Sequence, residues 1–259
     1  MHGVVKGLVL HGVDVKEKDK MLTVYTEERG LMSIYVTNAK SSKNKRGAAC
    51  SDFAYSEFTI VERGDKIWLE SVSPIRIFSD PSFSLYFLTL ATYVCETVRL
   101  VATEEPDREL MRLALNTLHA ASSGKGEPKL LKAAFEIRLL SLLGFMPQVA
   151  GCHSCGVEDG EFVFDIMSGV IECRECLKER EALAEEGERR TTCIISSGAR
   201  TALDYCARCP LERLFSFTLA GEDLELFATA AETFAIHQLE RSFNSLEYYH
   251  KLKSFLCVF

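Results

Sequence analysis

The pattern of hydrophobic and polar positions divides the chain into two parts with different periods. In the first 80 residues, short runs rich in Val, Ile, Phe, Tyr and Thr alternate with turn-like stretches, which is typical of β-strands. The predicted strands are 3–10, 20–26, 31–37, 52–62 and 66–78. Five short strands cannot bury two faces as an open sheet, so we expect them to close into a small barrel. The longest connection, 38–51, shows no sign of packing.

From Asp80 onward the apolar positions follow a helical period. The predicted helices are 81–103, 107–121, 128–143, 196–209, 222–243 and 246–256. Asp80 and Pro81 suit the N-cap and first turn of the first helix, Ser197 suits the N-cap of the fourth, and Gly144 suits a left-handed C-terminal cap. The acidic stretch 177–190 is either a solvated helix or a linker. We expect the helices to form one bundle, interrupted by a cysteine-rich segment.

These periods predict an α+β multidomain protein, in which a five-stranded β-barrel precedes an all-α domain with an inserted cysteine-rich module. The predicted divisions are 1–79 for the barrel, 80–148 for the first part of the helical domain, 149–180 for the metal module, and 181–259 for the second part of the helical domain.

Composition places the chain among ordinary globular proteins, with 47% hydrophobic and 26% charged residues. The longest uncharged run, 81–95, is too short and too polar to span a membrane. No secretory signal is evident at the N-terminus, and the ten cysteines are too unevenly spaced for a disulfide framework. We therefore expect the reducing cytosol.

Four of the cysteines form two C-x-x-C pairs, Cys152 with Cys155 and Cys173 with Cys176, which are separated by seventeen residues. This spacing is typical of a four-cysteine zinc site. The residues between the pairs suggest a β-hairpin, so the segment is interpreted as a zinc ribbon. Four thiolates leave no open coordination position, which predicts one structural Zn²⁺. Four free cysteines or two disulfides are the alternatives.

The remaining cysteines are interpreted as packing residues. Cys206 and Cys209 form a further C-x-x-C pair, on a helical stretch with no second pair in range. The others are read as small apolar fillers, and they are Cys50, Cys95, Cys193 and Cys257.

A basic cluster stands out against the net charge of −7, since no acidic residue occurs between Glu28 and Asp52. Cations in such a run repel one another unless a polyanion is present. Small five-stranded barrels bind single strands by combining a positive groove with aromatic platforms. The predicted nucleic-acid-binding residues are Lys18, Lys20, Arg29, Lys40, Lys43, Lys45 and Arg46. Lys16 and Arg63 are further candidates for the groove, although the stretch 16–20 is equally compatible with an exposed turn. The aromatic candidates are Tyr25, Tyr35, Phe53 and Tyr55.

No catalytic motif is present in the sequence. It lacks a phosphate-binding Gly-rich loop, a G-x-S-x-G motif and an H-E-x-x-H motif, and its six histidines are scattered. We therefore expect a protein that is not an enzyme. A protein-interaction scaffold braced by a metal is the main alternative, and the closed ligand set disfavours a metal-dependent enzyme.

The order of these features resembles the bacterial RecO family of DNA repair and recombination mediator proteins over nearly the whole chain. The stretch GLVLHGVDVKEKDKMLTVYTEERGLMSIYVTNAK is similar to the opening barrel of that family. The stretches AAFEIRLLSLLGFMPQVAGCHSC and SGVIECREC are similar to its central helix and its two zinc knuckles.

The resemblance implies an N-terminal OB-fold and a non-enzymatic mediator that binds and anneals single-stranded DNA, with double-stranded DNA left open. It implies that, with the partner RecR, the protein helps RecA replace single-strand binding protein (SSB) on gapped DNA, in the cytoplasm at the nucleoid. It also implies that the helical domain captures the acidic C-terminal tail of SSB. The candidate cations for that tail are Arg99, Lys132 and Arg138.

Overall fold

The computed structural model describes residues 2–15, 17–39, 45–78, 85–124, 126–183 and 190–256. Its elements fall into two compact units, the first comprising 1–124 with 243–259 and the second comprising 125–242. Several residues singled out in the sequence lie outside the described residues, namely Lys16, Lys40, Lys43, Asp80, Pro81 and Cys257.

The first unit opens with a closed five-stranded barrel, as the sequence predicts. Its strands are β1 (His2–Asp14), β2 (Lys20–Thr26), β3 (Gly30–Val36), β4 (Ala54–Arg63) and β5 (Lys66–Ile77). They pair in the order β1-β2-β3-β5-β4, and the parallel contact that joins β3 to β5 is a single residue pair, Tyr35 with Trp68. Alternate residues of each strand point inward and form the apolar core, which includes Val9, Val24, Ile34 and Phe58.

The connection between β3 and β4 differs from the prediction because part of it is packed. It contains a short helix, α1 (Lys45–Ala49), which contacts β5. Ala49 and Cys50 are buried, and Cys50 belongs to the barrel core, as its interpretation as a small apolar filler requires. Small side chains allow the helix to lie close to the strand, so the expectation of an unpacked connection is wrong at these residues.

Three helices complete the first unit, and they are α2 (Leu85–Val101), α3 (Arg108–Ser122) and α8 (Asn244–Leu256). Asp107 caps α3 because its Oδ1 accepts hydrogen bonds from the backbone N–H groups of Glu109 and Leu110, at 2.8 and 3.1 Å. α2 packs against both α3 and α8. The loop between α2 and α3 is bonded to the barrel, since Leu31 N–H donates to the Thr103 carbonyl at 2.7 Å.

The second unit is built around α4 (Pro128–Leu142), whose residues from Leu130 to Leu140 are all buried. A helix that is buried on every side needs partners all round it, and α6 (Ser197–Arg208) and α7 (Gly221–Leu239) both pack against α4. The helices therefore group into two units instead of the single expected bundle. The predicted division of the chain into four stretches stays a prediction.

The cysteine-rich module contains β6 (Phe162–Asp165), β7 (Val170–Cys173) and α5 (Arg174–Leu183). The hairpin of β6 and β7 follows the prediction, and α5 shows that the first part of the acidic stretch is helical. A third strand, β8 (Thr192–Ile195), pairs with β6 and was not predicted. The N-cap of α6 is Ser196 and not Ser197, because the Ser196 hydroxyl accepts the hydrogen bond from Ala199 N–H.

Candidate metal centre and nucleic-acid interface

The four cysteines of the two knuckles converge in the structure. The Sγ atoms of Cys152, Cys155, Cys173 and Cys176 all lie within 4.8 Å of one another, and those of Cys155 and Cys173 are 3.8 Å apart. A tetrahedral Zn²⁺ with Zn–S bonds of about 2.3 Å places its sulfur ligands about 3.8 Å apart. The cluster therefore has the size and the donor set of a four-coordinate metal site.

Local structure brings each pair of cysteines together. In the first knuckle, Gly156 N–H donates to the Cys152 carbonyl and Cys152 N–H donates to the Val157 carbonyl, both at 2.8 Å. Gly156 has a φ of +77°, a left-handed conformation that glycine adopts without steric cost. In the second knuckle, Cys173 ends β7 and Cys176 lies in the first turn of α5.

The electrostatics of the cluster favour bound cations. Burial alone raises the pKa of Cys152, but backbone N–H donors from Cys173, Cys155 and Ser154 outweigh burial and lower that pKa to about 6. Hydrogen bonding to Cys173 and Cys155 raises the pKa of Cys176. Four adjacent sulfurs cannot all ionise without a neighbouring positive charge, and a divalent cation supplies that charge.

A buried carboxylate braces the two knuckles from outside the cluster. Glu172 is 6% exposed, and its Oε1 accepts a hydrogen bond from the Ser154 hydroxyl at 3.2 Å. Its Oε2 accepts one from Arg180 Nε at 2.8 Å, so the first knuckle, β7 and α5 are tied together. Hydrogen bonds outside a ligand set orient the ligands. Sequence reasoning missed Glu172 and Arg180, because only the packing of α5 against β7 brings them together.

The turn between β6 and β7 depends on Asp165, which is 2% exposed. Burial alone raises the pKa of this carboxyl, but hydrogen bonds from Ser168 N–H, Arg190 and Met167 N–H together hold its pKa below the ordinary value. Gly169 follows with a φ of +69° and donates its N–H to the Asp165 carbonyl at 2.9 Å. The hairpin that carries Cys173 is therefore closed by a buried anion.

Strand direction separates the charges of the barrel between its two ends. Because β1, β2, β3 and β4 alternate in direction, connections 14–20 and 38–53 lie at one end, and connections 27–29 and 62–66 lie at the other. Loop 103–107 joins the second end through the bond between Leu31 and Thr103. Over the described residues, the first end carries four basic and four acidic residues, and the second carries three basic and seven acidic residues. The sequence adds three lysines, Lys16, Lys40 and Lys43, to the connections of the first end, and these lie outside the described residues. We call these the basic end and the acidic end.

The predicted DNA-binding residues do not all lie together. Lys18 is exposed in the β1–β2 turn, and Lys20 is half-buried at the start of β2, so both lie at the basic end. The main chain of Lys45 begins α1 at the same end. Arg46 is half-buried, and its Nη2 donates to the Leu69 carbonyl at 3.4 Å. Lys40 and Lys43 lie outside the described residues.

Arg29 lies at the acidic end. Its Nη1 is 2.6 Å from Glu62 Oε1, and this ion pair partly neutralises its charge. Assignment of Arg29 to a DNA surface stays a prediction, and the structure gives it no support. A signal was available in the sequence, because successive connections between antiparallel strands lie at opposite ends of a barrel.

The aromatic candidates are mostly engaged in packing. Tyr25 is fully buried, and its hydroxyl bonds both the carbonyl and the N–H of Asp107, at 3.1 and 3.0 Å. Tyr35 is 8% exposed and packs on the half-buried ring of Trp68, with ring centroids 4.4 Å apart. Tyr55 donates its hydroxyl to Glu27, and Phe53 is half-buried. Trp68 was missed, although it is the one tryptophan of the chain.

The three cations suggested for the SSB tail also lie apart. Arg99 is exposed in the last turn of α2, in the first unit. Lys132 and Arg138 are buried in α4, in the second unit. Lys132 Nζ is 2.7 Å from Glu136 and 2.8 Å from Glu232, and Arg138 donates to the Cys209 carbonyl. These assignments stay predictions, and the buried pairs are sufficient to explain Lys132 as a structural residue.

Cys206 and Cys209 are both buried at the C-terminal end of α6, and burial raises the pKa of the Cys206 thiol. Arg138 Nη2 lies 3.4 Å from Cys209 Sγ. The pair therefore packs α6 against α4, as the sequence suggested. No helix in the described part of the chain has the length and apolar character to cross a membrane.

An OB-like barrel, a set of helices and a four-cysteine cluster consistent with zinc binding define a class of α+β proteins, and barrels of this kind bind oligonucleotides or oligosaccharides. A family model described as "Recombination protein O N terminal" matches residues 1–78, and one described as "Recombination protein O C terminal" matches residues 83–247. The chain belongs to the RecO family, which gives it a role in DNA repair and recombination.

Curated relatives agree with the family models. The DNA repair protein RecO of Acetivibrio thermocellus is 28% identical over 254 residues, which cover 97% of each chain. The DNA repair protein RecO of Anaeromyxobacter sp. (strain Fw109-5) is 36% identical over 176 residues, which cover 66% of this chain and 68% of the relative. The DNA repair protein RecO of Symbiobacterium thermophilum is 27% identical over 255 residues, or 96% of this chain and 97% of the relative.

Proposed function

We propose that this chain is a non-enzymatic recombination mediator. It binds and anneals single-stranded DNA and, with RecR, helps to load RecA onto DNA that SSB coats. Membership of the RecO family supports this proposal, and so does the charge separation of the barrel. The family also supports a cytoplasmic location at the nucleoid.

The observation that carries DNA binding is the basic end of the barrel. Antiparallel pairing brings the β1–β2 turn and the β3–β4 connection to one end, so residues that are far apart in sequence share one surface. Lys18, Lys20 and Arg46 lie there, and the main chain enters the same region at Lys45. Because each phosphate that a cation neutralises releases counterions, such a surface binds a polyanion with an affinity that falls as salt rises.

The test measures binding of a fluorescent thymidine 30-mer over a series of salt concentrations. In the first variant, six of the seven lysine and arginine residues in the two connections of the basic end are changed to alanine: Lys18, Lys20, Lys40, Lys43, Lys45 and Arg46. Each phosphate contact contributes about 0.7 to the slope of log affinity against log salt for a single strand. We expect the slope to fall by roughly 2 to 4, with a parallel loss of strand annealing.

A matched control removes cations from the acidic end. Arg29, Arg63 and Lys66 lie in the connections of that end, so their change to alanine should leave both the affinity and the slope nearly unchanged. The control removes three cations and the first variant removes six, so an equal loss of affinity per cation removed would show that binding follows net charge and not the basic end. Unchanged binding in the first variant would favour the scaffold alternative.

We propose Zn²⁺ as the metal of the cysteine cluster. The spacing of the sulfurs and the four-thiolate donor set support this choice, and a closed set of four ligands suits a structural role. Cys152, Cys155, Cys173 and Cys176 would hold the ion, which would brace the hairpin against α5. Metal analysis of the purified protein should give one equivalent of zinc. Cys173→Ser should lose it, and Cys193→Ser should keep it because Cys193 lies on β8 outside the cluster.

We propose SSB as a second protein partner in addition to RecR, and we propose that the chain binds the C-terminal tail of SSB. A pull-down that compares full-length SSB with a tail-deleted form tests it. Arg99→Ala tests the exposed cation of α2 directly. Lys132 and Arg138 need variants that preserve packing, such as a combined Lys132→Met and Glu136→Leu change, because both side chains are buried.

A further inference from the structure

A groove lies beside β3 in the first unit, and its lining residues come from β2, β3, the start of β5, the connections 27–29 and 62–66, and loop 103–107. It has a volume of about 800 Å³ and extends from Tyr35 towards the acidic end. We call it the β3 groove. Its apolar lining consists of Met21, Leu31, Met32, Tyr35, Ile67 and Pro106. Most of these side chains are only half-buried, so the groove presents apolar surface to solvent.

The main chain of β3 borders this groove as a partly open edge. β3 pairs with β2 along its whole length, but in the described part of the chain it meets β5 at one residue pair, Tyr35 with Trp68. Leu31 N–H donates to Thr103, so it is directed away from β2. Because backbone groups of a strand alternate in direction, the N–H and C=O of Ser33 face the same side. An extended peptide can therefore add its main chain next to Ser33.

The far wall of the groove is held in place by the barrel. It is formed by Glu104, Glu105 and Pro106, and hydrogen bonds flank it on both sides. Thr103 accepts from Leu31, and Asp107 exchanges two hydrogen bonds with the Tyr25 hydroxyl. A groove that exists before binding reduces the ordering cost of a ligand.

The charges around the groove select its ligand. Four carboxylates line it, from Glu28, Asp65, Glu104 and Glu105, against two cations, from Arg29 and Lys66. Arg29 is already paired with Glu62. Asp65, Glu104 and Glu105 are exposed. This field repels a phosphate chain and attracts a basic one, in contrast to the basic end of the barrel.

We propose that the β3 groove binds an extended basic segment of a partner protein. The segment adds to the edge of β3 at Ser33, places alternate apolar side chains between Leu31 and Ile67, and directs its basic side chains to Glu104, Glu105 and Asp65. The proposal does not depend on DNA binding, which we assign to the opposite end of the barrel.

The test uses fluorescence anisotropy and a labelled ten-residue peptide in which valine alternates with lysine or arginine. Glu104→Lys combined with Glu105→Lys should weaken binding at least tenfold. The matched control is Glu179→Lys combined with Glu181→Lys, because both positions are exposed on α5 and the change in net charge is the same. This control should remain within twofold of the wild type.

A second variant examines the strand edge. Ser33→Pro removes one N–H that is directed away from β2, and proline is tolerated on such an edge. It should weaken peptide binding at least fivefold while the melting temperature and binding of the thymidine 30-mer are retained. A peptide with glutamate at each basic position should not bind.

Three outcomes would overturn the proposal. An equal loss of peptide affinity in the groove variant and in the α5 control would show that binding depends only on the net charge of the protein. Equal affinity for the basic and acidic peptides would show that the carboxylates of the β3 groove do not select the ligand. Displacement of the basic peptide by a saturating thymidine 30-mer would assign the groove to the DNA surface.

Discussion

Changing Lys132 to methionine tests the buried charges of α4. Lys132 is 3% exposed and Glu136 is 1% exposed, and their charged groups are 2.7 Å apart. Glu232, the other carboxylate near Lys132, is 22% exposed and can turn towards water. The methionine fills a similar volume, so the main effect is that Glu136 loses its cation.

The size of the destabilisation depends on how Glu136 responds when Lys132 is removed. Breaking a buried ion pair by removing one partner costs about 3–5 kcal/mol. Protonation of the carboxyl limits this cost, and protonating an ordinary glutamate costs about 3.7 kcal/mol at pH 7 and about 1 kcal/mol at pH 5. We therefore expect Lys132→Met to destabilise the second unit by about 3–4 kcal/mol at pH 7, and by much less at pH 5.

Hydrogen exchange with mass spectrometry measures this change locally. Peptides that cover Pro128–Leu142 report the free energy of opening of the second unit, and peptides from β2 and β3 serve as an internal control. The double variant, Lys132→Met with Glu136→Leu, removes both charges and should lie within about 1 kcal/mol of the wild type.

Two results would refute this reasoning. One is a single variant whose destabilisation is the same at pH 5 and pH 7, since protonation of Glu136 would then play no part. The other is a double variant that is as unstable as the single variant, which would show that the cost arises from packing at residue 132 and not from an isolated charge.

Three further predictions concern the metal, a buried anion and a glycine. Removal of the metal with a chelator should lower the melting temperature and increase hydrogen exchange mainly in residues 150–183, because structural zinc contributes to folding; equal changes in the barrel would contradict this. Asp165→Asn should destabilise the protein by about 1–2 kcal/mol at pH 7, because it weakens the hydrogen bonds to Arg190 and the turn. The pKa of Asp165 in the folded protein lies below its ordinary value, so the stabilisation from the Asp165 carboxylate is present at a pH above the ordinary value and is lost as the pH falls through the folded pKa. Urea unfolding curves of the wild type and Asp165→Asn should therefore converge below pH 4. A difference in stability that stays constant with pH would contradict the assignment. Gly30→Ala should lower the free energy of unfolding in urea by more than about 2 kcal/mol, because Gly30 has a φ of +61° and a Cβ there would lie 2.5 Å from the Thr103 carbonyl oxygen. The control is Gly64→Ala, which should cost less, because Gly64 has a similar φ of +59° but open space around it.

The sequence predicts the barrel well because its strands alternate over many residues and their turns are marked by glycine. It does not predict β8, because Thr192–Ile195 is four residues long and gains its stability by pairing with the distant β6. α1 escapes prediction for a similar reason, since a five-residue helix depends on its contact with β5. The helical period of the sequence shows which face of a helix is buried, but it does not show which other helix covers that face. The sequence alone therefore could not distinguish two helical units from a single bundle.

The candidate sites differ in the same way. The metal cluster follows from the sequence because each knuckle is local and its spacing alone brings two thiols together. The brace from Arg180 to Glu172 depends on how α5 packs against β7 and is visible only in the structure. Charge runs identify the basic end, but the position of Arg29 at the other end and the acidic lining of the β3 groove depend on strand direction.

The return of the chain to the first unit has a consequence for synthesis on the ribosome. Phe243 packs against Tyr93 with ring centroids 5.2 Å apart, and the Ser245 hydroxyl donates to Glu96 at 2.5 Å. These partners are translated about 150 residues apart, with the whole second unit between them. The nascent chain therefore exposes the apolar face of α2 until residues 243–256 emerge, and this interval is when chaperones would be expected to bind it.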